Sequence, residues 1–208
     1  MIDSALPPVP RVELTLQLGE STFDLRWRAL VAATVPAPRF GRESEVLATV
    51  RAAAHAGADL AVASLSPQLV GPAARGGGVP VAVRVSSREA AEAALRAGAA
   101  LVLVPVGLAA TAAEAGWTAA LLVEDLDAID GARSLAADGH MPLAVDTSGL
   151  PPTEALAVES AAIPSGCRLV CTTDVRRTRR VVETVAALLA ARRDPSDLRD
   201  PCERGAGP

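Results

Sequence analysis

The sequence contains no lysine, no asparagine and no tyrosine, and all 20 of its basic residues are arginine. Without lysine this chain has no side chain for Schiff-base chemistry and no ammonium to clamp a phosphate. Aromatics are limited to two Trp and two Phe, too few for a platform on which single-stranded bases stack. Three cysteines, Cys167, Cys171 and Cys202, form no disulfide framework. Cys167 and Cys171 have no further Cys or His beside them, whereas a zinc site needs about four soft ligands. No metal and no cofactor is therefore expected. A redox or nucleophilic role for a cysteine has no supporting neighbour.

Other absences narrow the class. A net charge of -4 over 208 residues gives no field to attract nucleic acid or an anionic membrane. No apolar run reaches the roughly 18 residues of a membrane span. The opening MIDSALPPVPRVELTL lacks the basic start and apolar stretch of a signal peptide, so a cytoplasmic location is expected. There is no GxGxxG and no GxxxxGK[ST]. The tripled glycine Gly76–Gly77–Gly78 precedes a strand and no helix, which reads as a flexible turn and not a phosphate cradle.

What is present is an alternation of strands and helices. Short apolar runs recur at Leu30–Thr34, Asp59–Ser64, Val79–Val85, Ala100–Pro105, Ala119–Val123, Pro142–Thr147 and Arg168–Thr172. Continuous apolar runs suit strands buried on both faces. Alanine-rich segments of helical spacing lie between them, among them Ser44–His55 and Arg88–Arg96. Gly57 and Gly98 mark helix ends, each within an A-G-A leading into a strand. Such alternation predicts a parallel sheet with right-handed crossovers. Before it, Val12–Leu18 and Thr22–Leu25 flank Gly19–Glu20–Ser21 as a hairpin. The last helix carries the stripe Val175, Thr178, Val182, Val185 and Leu189, with Thr173 or Asp174 as its cap. Arg176, Arg177, Arg179 and Arg180 crowd its first turns, either as a solvated face or as a docking patch for an acidic partner or an anion. The expected organisation is a flexible N-terminus (1–10), one barrel domain (11–193) and a disordered tail (194–208). Seven strands are visible where a (β/α)8 barrel has eight.

Neither histidine suits catalysis. His55 lies in a helical run at a surface position, and His140 sits in a turn before a strand, the wrong strand end for a barrel site.

The stretch LTLQLGESTFDLRWRALVAATVPAPRF resembles the opening of dihydropteroate synthases, a hairpin ending "tFDL" followed by a strand into N-V-T-P-D-S-F. AGADLAVASLS is similar to A-G-A-D-I-V-D-V-G-G-E-S-T, and VPVAVRVSSREAAEAALRAGAALVLVPVG to V-P-V-S-V-D-T, a helix and A-G-A-x-x-V-N-D-V-x-G. CRLVCTTDVRRTRRVVETVAALLAA is similar to the ending V-R-x-H-D-V with its final helix. The order and spacing of the pieces cover most of the chain. The resemblance implies a pterin-binding (β/α)8 barrel and, for the family, a transferase of folate biosynthesis. That transferase joins a dihydropterin pyrophosphate to p-aminobenzoate with magnesium at the pyrophosphate.

The family's functional residues are mostly absent. Its first asparagine falls at Thr34 and the following aspartate at Pro38; the second strand's aspartate falls at Val62 and that of V-D-T at Arg84. The N-D pair falls at Leu103 and Val104, and the terminal arginine and histidine at Cys171 and Thr173, leaving Asp174. PLAVDTSG resembles I-L-D-P-G and places Asp146 at a pterin-contacting position. The G-F-G-K loop and the next strand are missing: only Thr147 to Gly166 connect Asp146 to the last strand, room for one helix such as Glu154–Ala161.

Candidate ligand-binding residues are therefore Thr34, Arg39, Arg84, Asp146, Thr173 and Asp174, within a polar set at the strand ends that also holds Ser64, Ser66, Ser86, Glu124, Asp125 and Thr147. No catalytic residue is assigned. Arg84 either clamps a small anionic ligand, with Asp146, Glu124 or Asp174 as base, or pairs with Asp146 or Asp174 and fills the pocket. The second is favoured, because an unpaired buried arginine costs several kcal/mol. The expected function is non-catalytic and works through protein–protein contact. The partner is a second copy or a true synthase, covering the edge that a seven-stranded sheet leaves exposed. The surface expected to cover it is the last helix with Pro151–Ala162. The alternative is a barrel enzyme or binder of altered specificity for a small anionic or pterin-like ligand.

Overall fold

Alternating strand and helix segments fold in chain order into a barrel, seen in a computed structural model that describes residues 15–19, 21–25, 28–36, 42–138 and 140–191. A hairpin comes first, β1 (Thr15–Leu18) paired antiparallel with β2 (Ser21–Asp24). The barrel strands are β3 (Leu30–Val35), β4 (Leu60–Ala63), β5 (Val81–Arg84), β6 (Leu101–Pro105), β7 (Ala119–Val123), β8 (Leu143–Asp146) and β9 (Cys167–Thr172). The helices are α1 (Glu43–His55), α2 (Pro67–Gly76), α3 (Arg88–Arg96), α4 (Ala109–Glu114), α5 (Ile129–Asp138), α6 (Pro152–Ala162) and α7 (Val175–Ala191). The expected N-terminal segment 1–10 and tail 194–208 lie outside the described residues.

The seven strands are all parallel and close on themselves. Leu30 of β3 stands beside Leu169 of β9, and Ala33 beside Thr172, so the first and last strands complete the ring. Every barrel strand then has two neighbours and no edge is left. The exposed edge expected from the strand count does not exist.

Side-chain size explains how seven strands suffice. Barrel diameter grows with strand number, so seven strands enclose less interior than eight. The inward positions supply Leu30, Leu60, Leu101, Leu103 and Leu169 but also Ala32, Ala82, Ala120 and Ala144, all buried in one cluster. Alanines opposite leucines fill a narrow interior without overpacking. Leu16, Leu18 and Leu25 belong to the same cluster, with Phe23 against it. The hairpin is thus the plug of one barrel end. A second apolar layer, including Val31, Val50, Val70, Val102 and Val182, lies between the strands and the helices.

Gly57 (φ 91°) and Gly98 (φ 100°) follow α1 and α3 in the left-handed region, as their A-G-A contexts suggest. The tripled glycine makes the turn from α2 into β5, as expected, and also has a packing role. Gly76 is the last residue of α2, and a Cβ on Gly77 would lie 2.6 Å from the Ala73 carbonyl oxygen and collide with Val50. These glycines let α1 and α2 approach closely. Helix α2 itself contains Gly71 and Pro72, both helix-breaking signals, yet it buries Val70 and Ala73.

Candidate functional site

Alternation along each strand carries the interior cluster to the C-terminal rim. Following Ala32, Val62, Ala82, Ala144 and Cys171 by two residues brings Thr34, Ser64, Arg84, Asp146 and Thr173 to one mouth. These ends gather because all seven strands run in the same direction. It is the end at which barrels of this kind carry function.

The central feature is an ion pair. Arg84 Nη2 lies 2.5 Å from Asp146 Oδ2, with the two side chains 29% and 21% exposed. β5 and β8 are separated by two strands one way and three the other, so the pair spans the mouth. The other oxygen of Asp146 accepts the Ser148 N–H at 2.9 Å, which orients the carboxylate. Beneath the pair lies Cys171, whose thiol is pushed up to about 12 by burial and by Asp146, against the opposing effect of Arg84. Burial likewise pushes Cys167 up to about 11. Both are free, buried, neutral thiols near neutral pH, without the thiolate character a nucleophile or redox sensor needs.

The remaining candidates separate. Thr34 is half-buried at the mouth and Thr173 is exposed there. Asp174 is not a partner of Arg84: its Oδ1 accepts the Arg177 N–H at 3.1 Å and caps α7. Asp125 caps the short 126–128 turn through the Asp127 N–H, and Glu124 is exposed. Arg39 lies outside the described residues, as do Pro38 and Cys202. Thr147 is not part of the mouth; it is buried on the outer face of the barrel. His55 is on the last turn of α1 and His140 in the turn before β8, both away from the mouth.

Thr147 belongs to a polar cluster not anticipated from the sequence. At its centre is Glu159 of α6, fully buried. Its Oε1 accepts the hydroxyls of Thr147 at 2.9 Å and Thr178 at 2.8 Å, and Arg177 Nη2 at 3.1 Å. Thr178 is linked in turn to Thr172 at 3.0 Å, and Thr172 Oγ1 accepts the Asp174 N–H. One proton per hydroxyl suffices if Thr172 donates to Thr178, and Thr178 and Thr147 donate to the carboxylate. The only trace in the sequence is the spacing Ala155–Glu159–Ala162, which sets a carboxylate among alanines on the face α6 buries.

Between α6 and α7 runs a groove of about 390 Å³, lined mainly by apolar side chains including Leu156, Val181, Val185 and Leu188, with Arg180 at its rim. Leu156 is 44% and Leu188 60% exposed. Among the described residues no helix is long and apolar enough to cross a membrane.

No family model matches the sequence, and no curated protein does. Solved structures do match. The chain resembles the dihydropteroate synthase of Yersinia pestis at 18% identity and a TM-score of 0.64, over 86% of this chain and 100% of that one. It resembles the 7,8-dihydropteroate synthase of Vibrio fischeri at 13% and 0.63, over 85% and 98%. It also resembles the Xanthomonas albilineans enzyme with 4-aminobenzoic acid at 15% and 0.61, over 86% and 99%. By architecture the chain is a dihydropteroate synthase-like barrel, closed with seven strands.

Proposed function

We propose that this chain is a degenerate, non-catalytic paralogue of dihydropteroate synthase that works through protein–protein contact in the cytoplasm. The observation that carries the reading is the Arg84–Asp146 pair. Arg84 stands where the resemblance puts a family carboxylate, and it engages Asp146, a carboxylate that the resemblance places at a pterin-contacting position. A pterin presented with this pair meets a donor where it needs an acceptor, and each unmatched buried polar group costs about 1–3 kcal/mol. Magnesium does not fit the described residues either. At the position of the family's asparagine Thr34 offers a neutral hydroxyl, and Asp146 is held by a guanidinium, whereas magnesium demands several oxygen ligands.

The contact surface in this reading is α6 with α7. The argument from an open sheet edge falls with the closure of the ring; the exposed Leu156 and Leu188 and the groove between them take its place. The partner is a second copy or a true synthase. Sedimentation of the chain alone and mixed with a synthase, wild type against Leu188→Arg, tests it. A species that grows with concentration and is lost in the variant supports the contact; a monomer under both conditions removes it.

A second reading rests on the partial exposure of Arg84 and Asp146. It makes the mouth a site for a small anionic or pterin-like ligand and, if active, the chain a transferase. Thermal-shift and calorimetric titration with a pterin, a pterin pyrophosphate with magnesium, p-aminobenzoate and inorganic phosphate separates the two. A ligand at a hundred times its dissociation constant stabilises the fold by about 2.7 kcal/mol. A flat response is expected; a pterin response would restore the enzyme question.

A further inference from the structure

Helix α6 is weakly anchored by apolar burial. The residues it buries are Ala155, Glu159 and Ala162, and its principal neighbours are α7 and the 126–128 turn, not a barrel strand. Helix α7 by contrast buries Val175, Val181, Val182 and Val185. Two buried alanines, the partly buried Val158 and a carboxylate hold α6 where four valines hold α7. The carboxylate is the buried polar attachment of α6, and Arg177 adds a bond from its Nη1 to the Pro152 carbonyl at 3.3 Å.

The same carboxylate reaches the mouth through one residue on each strand. Thr147 directly follows Asp146; its N–H donates to the Cys171 carbonyl at 2.8 Å, and its hydroxyl oxygen lies 3.1 Å from the same carbonyl oxygen. Thr172 directly follows Cys171 and is tied to Thr178. Anything that moves Thr147 moves Asp146 against Arg84 and loosens the β8–β9 join, which already carries a register shift between Leu143 and Ala144.

We propose that Glu159 is a latch: it holds the C-terminal ends of β8 and β9 and helix α6 together as one unit, and its release opens the barrel mouth locally. The inference does not depend on the proposed function, since a gated mouth serves a binder and a contact module alike. It is a positioning role, exerted through Thr147 and Thr178.

The two buried cysteines of β9 make the test internal. Cys171 lies at the mouth end of the strand and Cys167 at the opposite end. Native full-length protein is treated with N-ethylmaleimide at pH 8, and labelling of each cysteine is followed by peptide mass spectrometry. Glu159→Gln keeps the volume and can still accept a hydrogen bond; Thr178→Val removes one bond at constant shape, which keeps the test available should the first variant fold poorly. The expected result is at least a tenfold faster modification of Cys171 in Glu159→Gln, a smaller rise in Thr178→Val, and Cys167 within twofold of wild type in both. Equal acceleration at both cysteines would mean general destabilisation and overturn the latch, as would no change at Cys171.

Discussion

The two ends of this barrel are closed by opposite chemistries. At the N-terminal end Leu16, Leu18 and Leu25 of the hairpin region press into the interior, and apolar contact does the sealing. At the C-terminal end a cross-mouth ion pair and, behind it, a buried carboxylate with three hydroxyl groups hold the strands. The apolar seal is non-directional and tolerates small shifts. The polar seal is directional, and removing one member leaves its partners unsatisfied. The first end suits stability, and the second suits a place where something has to be positioned or released.

The polar end breaks hardest. Glu159→Ala is expected to cost about 3–5 kcal/mol in urea unfolding, because Arg177, Thr147 and Thr178 lose their acceptor. Glu159→Met, of similar length and apolar, should recover much of that loss; failure to recover would mean that shape and not charge governs the site. Leu18→Ala at the apolar end should cost about 2–5 kcal/mol by leaving a cavity, without changing Cys171 labelling relative to Cys167. A change confined to Cys171 would erase the contrast between the ends.

Alkaline pH sharpens the comparison. Cys171 and Cys167 have folded-state values of about 12 and about 11 against a reference of 9.0. Above pH 9 the unfolded chain releases these protons while the folded chain retains them, so stability falls as pH rises. For Cys171 the decline runs to about pH 12 and for Cys167 to about pH 11. Unfolding free energies at pH 8 and pH 10 check this, and Cys171→Ala should flatten part of the slope. The smallest effect is expected for the mouth pair itself. Arg84→Met and Asp146→Ala each change stability by about 1 kcal/mol, and a double-mutant cycle should return a coupling of similar size, since both groups retain solvent contact.

Much of the architecture could be read from residue order. The apolar runs from Leu30 to Thr172 are the seven strands, to within one or two residues at most ends, because strands buried on both faces admit little polarity. Helix α2 escaped the reading, since Gly71 and Pro72 carry unfavourable local propensity that tertiary burial of Val70 and Ala73 overrides. The Arg84–Asp146 partnership was one of two alternatives; Asp174 drops out because its carboxylate caps α7. Glu159 was invisible: a glutamate in an alanine-rich helix ordinarily faces water, and only the packing of α6 on α7 turns it inward.

The sequence alone determined the strand–helix alternation, the hairpin that precedes it and the arginine at the end of the third barrel-strand run. These follow from local pattern, where each residue's neighbours in the chain are its neighbours in space. Closure with seven strands, the pairing across the mouth and the buried carboxylate at its back were decided only in three dimensions. Each depends on groups far apart in the chain, from 12 positions for Thr147 and Glu159 through 62 for Arg84 and Asp146 to 139 for Leu30 and Leu169.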